Sequence, residues 1–241
     1  MVIPLEPVPV PARVRALARG AQLEPVWANE LGGLTFRTSD GRHIKHGPRN
    51  LESSFAGEAE RLAWAAAWMP VPRVIEVGGD ETHEWLVTET ILGESAVAPR
   101  WVADPASAVR AIAEGLRALH DTLPVEDCPF DWGVTTRVAT AARRGIRLPE
   151  NLQTGPDADL LVVCHADACA PNTLVDDAGR WSGHVDLGAL GVADRWADLA
   201  VASMSLDWNY GPGWDAAFFA AYGVDPDPGR IAYYRGLWNA T

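Results

Sequence analysis

The sequence predicts an α+β fold with two lobes, a small β-rich N-lobe over residues 1–91 and a larger, mainly helical C-lobe over residues 92–241. Short alternating apolar runs and glycine turns fill the first ninety residues, as expected for an antiparallel sheet. After Leu92-Gly93 the apolar residues recur at helical spacing instead. The chain has 241 residues, 48% of them hydrophobic, which is enough to bury a core as one large domain or two modest ones.

The N-lobe is predicted to contain an antiparallel sheet and one helix. Its segments are, in order, a strand meander from Val26 to Lys45, a helix from Phe55 to Trp68, and strands from Val74 to Val77 and from Trp85 to Thr90. Two prolines after Trp68 end the helix, and a Gly-Gly-Asp turn joins the last two strands.

The C-lobe is predicted to be helical around one short strand and one hairpin. Asp104 is an N-cap candidate, followed by Pro105 at the first position of a helix that ends near Leu123. The later predicted segments are a basic helical piece from Arg137 to Arg147, a strand from Leu160 to Cys164, a hairpin pairing Thr173–Val175 with His184–Leu187, and helices over Trp196–Leu206, Trp214–Tyr222 and Pro228–Trp238.

One short string and one later acid carry the functional prediction. His165, Asp167 and Asn172 follow the predicted strand, and Asp186 lies in the hairpin. Phosphoryl transfer needs one carboxylate to orient and deprotonate a hydroxyl, and an amide and a second carboxylate to hold Mg²⁺. Asp167 is therefore the candidate base, Asn172 and Asp186 are candidate Mg²⁺ ligands, and His165 is a structural residue. Each alone is also a common turn former, so only the ordered set favours this interpretation.

A phosphoryl-transfer site also needs a cation for the nucleotide phosphates, which the N-lobe must supply. Lys45 lies in a predicted strand, and either Glu58 or Glu60 on the following helix can hold it. The loop from Asn29 to Thr35 contains Gly32-Gly33, whose backbone N–H groups could approach a phosphate. No P-loop or dinucleotide-binding glycine motif occurs.

Composition limits the partners. A net charge of −12 argues against nucleic acid and would attract a cationic small molecule, although acidity more often only maintains solubility. The three cysteines form no Cys-x-x-Cys motif, so neither a disulfide framework nor a zinc site is expected. The first residues lack the pattern of a signal peptide, and the longest apolar segment is too short for a membrane span. A cytoplasmic protein without a membrane or nucleic-acid partner is the expectation.

Taken together, these residues resemble the aminoglycoside phosphotransferases, specifically the 3′-phosphotransferase (kanamycin/neomycin kinase) group of the protein-kinase-like superfamily. The segments that carry the resemblance are residues 161–172, 182–196, 230–235, 57–64, 70–72 and 128–131. They are spread over most of the chain.

The resemblance implies a bilobal kinase-like fold that uses ATP, with GTP as an alternative, and Mg²⁺, with the nucleotide between the lobes. It implies that Lys45 and Glu58 are the phosphate-positioning pair and keeps Asp167, Asn172 and Asp186 in the roles given above. It also implies that Asp198 is a buried anchor of the motif loop. The hinge segment that faces adenine would consist of Thr88, Glu89, Thr90 and Ile91.

Three departures from the family pattern concern the loop and the acceptor. Ala166 replaces the usual Gly of His-Gly-Asp, which the loop can absorb if the φ angle of Ala166 is negative. The segment between Asp131 and Leu160 is short, and Arg143, Arg144 and Arg147 replace an acidic lid. The chain closes with residues 237–241 in place of acidic ones. Substrate candidates are therefore Asp131, Glu150, Asp157, Asp159, Asp207 and Trp238.

The resulting hypothesis is an ATP- and Mg²⁺-dependent O-phosphotransferase acting on an aminoglycoside antibiotic at a hydroxyl of the 3′ type. Two alternatives stay open at this point. One is a kinase of another hydroxylated small molecule, such as an amino-sugar, nucleoside or metabolite. The other is a nucleotide-binding pseudoenzyme, against which the intact Asp167, Asn172 and Asp186 argue.

Overall fold

A computed structural model describes residues 8–29, 32–50 and 54–241. The chain divides into two compact units, the first within residues 1–67 and 71–91 and the second within residues 68–70 and 92–241. An antiparallel sheet dominates the first unit and helices dominate the second, so the predicted α+β fold class is confirmed.

The described residues of the first unit form a five-stranded antiparallel sheet and two helices. Its elements are α1 (Ala12–Ala18), β1 (Leu23–Ala28), β2 (Leu34–Thr38), β3 (Arg42–Pro48), α2 (Phe55–Ala65), β4 (Val74–Gly79) and β5 (His83–Glu89). The strand order is β1-β2-β3-β5-β4, which places β3 in the middle of the sheet. Helix α1 was not predicted. It contributes Val14 and Leu17 to a core shared with Phe36 and Ile44.

The second unit combines six helices with five short strands. Its elements are β6 (Glu94–Ser95), α3 (Pro99–Val102), α4 (Pro105–Thr122), α5 (Val134–Arg143), β7 (Leu161–Cys164), β8 (Thr173–Val175), β9 (Trp181–His184), β10 (Gly191–Asp194), α6 (Trp196–Tyr210), α7 (Asp215–Tyr222) and α8 (Pro228–Ala240). Strand β7 pairs with β10, and β8 lies between β6 and β9.

Local sequence signals account for the start of the long helix. The side chain of Asp104 accepts a hydrogen bond from the Ser107 N–H at 3.3 Å, so Asp104 is the predicted N-cap of α4. The buried face of α4 packs against α6, in which every residue from Trp196 to Leu206 is buried. A helix that is buried all round forms the centre of this unit.

Several predicted boundaries were wrong, among them the ends of α2, at Ala65 instead of Trp68, and of α6, at Tyr210 instead of Leu206. Helix α5 begins at Val134 instead of Arg137. The second hairpin strand is Trp181–His184, not His184–Leu187, because Thr173 pairs with His184. Asp186 lies beyond that strand with a φ of 64°, a left-handed conformation that ends the extended backbone. In the described part of the chain, no helix combines the length and apolar character that crossing a membrane requires.

Packing between α4 and β9 leads to a stability prediction. A Cβ atom at Gly115 would overlap the indole of Trp181. We therefore expect Gly115→Ala to destabilise the protein by about 1–3 kcal/mol, because overpacking outweighs the better helix propensity of Ala. Thermal unfolding would measure the effect. At Gly236, inside α8, the added Cβ meets only the flexible end of Leu152 at 3.3 Å, so Gly236→Ala serves as the control. Equal melting temperatures for the two variants would contradict the prediction.

Candidate active site

The loop after β7 returns the chain to Asp167. Residues Ala170–Asn172 form a 3₁₀ turn, in which the Asn172 N–H donates to the Cys169 carbonyl at 2.9 Å. The turn brings the Asn172 amide back, so that its Nδ2 donates to the Asp167 carbonyl at 3.0 Å and to Asp167 Oδ2 at 3.1 Å. The two residues that the sequence predicted to act together therefore share one hydrogen-bonded site.

Asp167 and Asp186 form a like-charged pair. Burial raises the pKa of Asp167 above its ordinary value, and the nearby carboxylate of Asp186 raises it further. Asp167 Oδ1 is buried and accepts no hydrogen bond from the described residues. A buried carboxylate oxygen without a donor, next to a second negative charge, lowers the stability of the fold unless a positive charge compensates it.

The donor set fits a magnesium ion. Carboxylate oxygens of Asp186 and the amide oxygen of Asn172 are the hard ligands that Mg²⁺ prefers. The uncompensated Asp167 oxygen and the repulsion between the two acids are relieved by a bound cation. The residues present are therefore suited to this metal.

Asp198 anchors the start of the loop, as the family resemblance implied. It is fully buried on α6 and accepts the N–H groups of His165 at 2.5 Å and of Ala166 at 2.8 Å. Its Oδ2 also lies 3.0 Å from His120 Nε2. Burial alone would raise the pKa of Asp198, but the hydrogen bond from His120 lowers it.

The contacts of His165 match its predicted structural role. Its Nε2 lies 3.1 Å from the Val185 carbonyl, and its Nδ1 accepts the Asp167 N–H at 3.3 Å. Because Nδ1 is an acceptor, Nε2 is the nitrogen that donates to the carbonyl. His165 therefore links the loop to the segment that leads to Asp186.

Ala166 does not have the backbone conformation that the sequence interpretation required. Its φ is 73°, in the left-handed region, where a residue with a Cβ costs about 1–2 kcal/mol relative to the right-handed one. The condition of a negative φ is therefore not met, because the two N–H groups directed at Asp198 hold this turn. The loop is a strained segment held by its surroundings.

His120, Cys164 and Asp198 lie close enough together to be considered as metal ligands, with donor atoms within 4.8 Å of one another. Their chemistry argues against this use. Burial raises the pKa of the Cys164 thiol well above its ordinary value. The Asp198 carboxylate already accepts three hydrogen bonds, and both nitrogens of His120 are engaged.

In the first unit, Lys45 and Glu58 form an ion pair. Lys45 Nζ on β3 lies 2.6 Å from Glu58 Oε1 on α2, and the Glu58 side chain is only 5% exposed. Glu60, the alternative partner, is exposed. The structure therefore pairs Lys45 with the acid that the resemblance favoured.

The glycine loop and the hinge segment also lie in this unit. Gly32 has a φ of 82°, and the Gly33 N–H donates to Asn29 Oδ1 at 2.6 Å. Glu30 and Leu31 of the same loop lie outside the described residues. In the hinge segment Thr88 is buried, Glu89 forms an ion pair with Arg73, the Thr90 hydroxyl lies 3.0 Å from His43 Nδ1, and Ile91 is half-buried.

The substrate candidates fall into two groups. Asp131 accepts hydrogen bonds from the Gly133 N–H and the Thr136 hydroxyl, and Asp159 binds Arg195 and the Trp196 indole N–H, so both stabilise the fold. The exposed candidates are Glu150, Asp157 and Asp207. The ring of Trp238 packs against the ring of Trp208, with 5.7 Å between the two ring centroids. Sequence reasoning missed His120 and Tyr222, because neither lies in a recognisable motif.

Comparisons with known proteins agree with the geometry. A model described as the phosphotransferase enzyme family matches residues 36–234. The chain is 40% identical to an aminoglycoside 3′-phosphotransferase of Streptomyces fradiae, covering 79% of this chain and 81% of that protein. It is 35% identical to a streptomycin 3″-kinase of Streptomyces griseus, covering 88% and 89%.

Solved structures show the same likeness. The crystal structure of an aminoglycoside-3′-phosphotransferase of type VIII is similar with a TM-score of 0.78 at 34% identity, covering 95% of this chain and 97% of that one. The aminoglycoside phosphotransferase APH(3″)-Id of Streptomyces rimosus, in complex with ADP and streptomycin, is similar with a TM-score of 0.71 at 29% identity, covering 93% and 94%.

The raised pKa of Asp167 leads to a prediction about stability and pH. A carboxyl with a raised pKa in the folded state binds protons more tightly there, so its contribution to stability falls as the pH rises through the carboxyl range. Asp167→Asn should therefore raise the free energy of unfolding at pH 7 in metal-free buffer. The gain should disappear below the ordinary pKa of 3.8.

Urea denaturation between pH 3 and pH 7 would measure this effect. Asp176→Asn is the control, since hydrogen bonds from the Arg180 backbone lower the pKa of Asp176 and the sign should reverse. A variant Asp167→Asn that is less stable than the parent at pH 7 would contradict the expected repulsion.

Proposed function

The chain belongs to the phosphotransferase enzyme family, and on that premise we propose that it is an ATP- and Mg²⁺-dependent O-phosphotransferase of aminoglycosides. The γ-phosphoryl group moves to a hydroxyl of the 3′ type, and the antibiotic is thereby inactivated. The observation that carries this proposal is the loop in which Asn172 holds the half-buried Asp167 next to Asp186. The resemblance predicted from the sequence motifs is confirmed.

Asp167 is assigned the role of the base. It accepts the proton of the acceptor hydroxyl as that oxygen bonds to the γ-phosphorus and the bond to the leaving ADP oxygen breaks. In a loose transition state this proton leaves late, so the position of the carboxylate matters more than its basicity. The hydrogen bonds from Asn172 and through the His165 amide supply that position.

Asn172 and Asp186 would hold Mg²⁺, which when bound neutralises charge on the phosphates. Lys45, oriented by the buried Glu58, would contact the phosphates. The N–H groups near Gly32 and Gly33 would cover them, and the hinge residues 88–91 would face adenine. By this proposal residues 1–91 serve the nucleotide, and residues 92–241 carry the base, the metal ligands and the acceptor site.

The names of the relatives and the net charge of this chain support an aminoglycoside as the acceptor. The relatives named above act on aminoglycosides, and a net charge of −12 favours a cationic acceptor. Asp157 and Asp207 are the better acid candidates, since Asp131 and Asp159 already have fold-stabilising partners. ATP use and three free cysteines fit the expected cytoplasmic location.

A second candidate acceptor is streptomycin. The similarity to a streptomycin 3″-kinase covers 88% of this chain, a larger share than the similarity to the Streptomyces fradiae enzyme. The short segment between Asp131 and Leu160 also separates this protein from the usual 3′ pattern. The two candidates differ in the hydroxyl that receives the phosphate.

An acceptor panel tests the proposed function directly. We expect ATP consumption with Mg²⁺ in the presence of kanamycin or neomycin, and a 3′-phosphorylated product by NMR, because the catalytic set is complete. Turnover of streptomycin alone would transfer the assignment to the second candidate. Nucleotide binding without phosphorylation of any aminoglycoside or related hydroxylated compound would refute the proposed enzyme.

Substitutions separate the roles of the two acids. Asp167→Ala should lower kcat by about 10²–10⁴-fold with little change in nucleotide affinity, because the general base is lost. Asp186→Ala should instead weaken Mg²⁺-nucleotide binding, measured by calorimetry. Asp177→Ala, at a side chain that is 95% exposed, is the control. The reverse pattern would mean that the two roles are exchanged.

A further inference from the structure

Three buried side chains form a chain of hydrogen bonds behind the active-site loop. Tyr222 Oη on α7 lies 2.8 Å from His120 Nδ1 on α4, and His120 Nε2 lies 3.0 Å from Asp198 Oδ2 on α6. We infer that His120 and Tyr222 are positioning residues, which keep Asp198 oriented to hold the strained Ala166 and, through it, Asp167. The kinetic part of this inference rests on the proposed function, whereas the structural part does not.

The acceptor capacity of Asp198 explains why His120 matters. The carboxylate is fully buried, and an ionised carboxylate in such a place needs several donors. The loop amides of His165 and Ala166 supply two. His120 is the side chain that the described residues show donating a third, and it shares Oδ2 with the His165 amide. Losing His120 therefore loosens the same oxygen that holds the loop.

Asp198 determines that Nε2 of His120 carries a proton. The Asp198 carboxylate only accepts, so His120 Nε2 must donate. The Tyr222 hydroxyl, which can donate or accept, holds the other ring nitrogen, Nδ1, at 2.8 Å. His120 and Tyr222 are both almost completely buried, which keeps water from replacing either bond.

The φ angle of Ala166 makes this arrangement important for activity. Residues in the left-handed region persist only when their surroundings hold them there. If the Asp198 carboxylate turns away, Ala166 can relax to a negative φ, and the peptide that leads to Asp167 rotates. A displacement of about 1 Å in a catalytic group can lower the rate by about 100-fold.

The first test removes the chain of hydrogen bonds from Tyr222 through His120 to Asp198, here called the relay, in steps. Tyr222→Phe deletes one hydroxyl from a ring that stays buried, and His120→Leu deletes the donor. We expect hydrogen exchange of the peptide covering residues 161–172 to accelerate in both variants, more strongly in His120→Leu. In kcat we expect losses of about 10-fold and about 100-fold, respectively, with smaller changes in KM. His120→Gln, which can still donate to Asp198, should recover part of both signals.

The second test uses the strain at Ala166. Glycine adopts a positive φ without a steric penalty, so Ala166→Gly should restore kcat and loop protection in the Tyr222→Phe background. The factor gained there should exceed the factor that Ala166→Gly produces alone. Ala168→Gly is the matched control, because Ala168 lies in the same loop without a positive φ and its substitution should rescue nothing.

Several outcomes would overturn the inference. One is that folded Tyr222→Phe and His120→Leu variants retain the kcat and the loop exchange of the parent. Another is that Ala168→Gly rescues as well as Ala166→Gly does. If no acceptor is phosphorylated, the proposed function fails, but the exchange measurements still decide whether the relay holds the loop. If His120→Leu does not fold, Tyr222→Phe combined with Ala166→Gly, compared with Tyr222→Phe combined with Ala168→Gly, decides whether the relay holds the loop.

Discussion

The buried carboxylate of Asp198 is the interaction on which the active-site loop depends. It accepts hydrogen bonds from two backbone N–H groups at the start of the loop, and these bonds hold Ala166 in a left-handed turn. From that turn the chain proceeds to Asp167 and then, by a 3₁₀ turn, to Asn172. Since α6 is buried on every side over most of its length, Asp198 is attached to the close-packed core of its unit. The packing of the core therefore fixes the position of the loop through Asp198.

The two acids of the candidate site are placed where they are unfavourable for stability. Asp167 and Asp186 repel each other in a partly buried site, and one Asp167 oxygen has no hydrogen-bond donor among the described residues. A site that is to bind Mg²⁺ and a phosphate must keep this negative charge uncompensated by the protein itself. The same tension appears in the backbone, where Ala166 and Asp186 both have a positive φ. The features that suit this site for binding lower its local stability, and the packing of the surrounding helices compensates for that loss.

Acidic residues serve two different purposes in this chain. Asp131 and Asp159 bind hydroxyl, indole, guanidinium and backbone donors and thereby stabilise turns of the second unit. Asp157 and Asp207 are exposed and contribute to the negative surface that would attract a cationic acceptor. Because the overall charge is −12, attraction alone does not distinguish one aminoglycoside from another. Selectivity must come from the shape and hydrogen bonding of the acceptor site, where this chain departs from the usual family pattern.

The sequence by itself determined the fold class and most helices and strands, and it singled out Lys45, Asp167, Asn172 and Asp186 as candidates, because these depend on local periodicity and on the order of residues along the chain. Only the tertiary structure decided the φ angle of Ala166 and the relay behind Asp198. A backbone angle held against its intrinsic preference, and bonds between side chains 78 and 102 positions apart, arise from packing between distant helices. No pattern within a short window of sequence encodes such contacts, since their energy exists only once the helices have met.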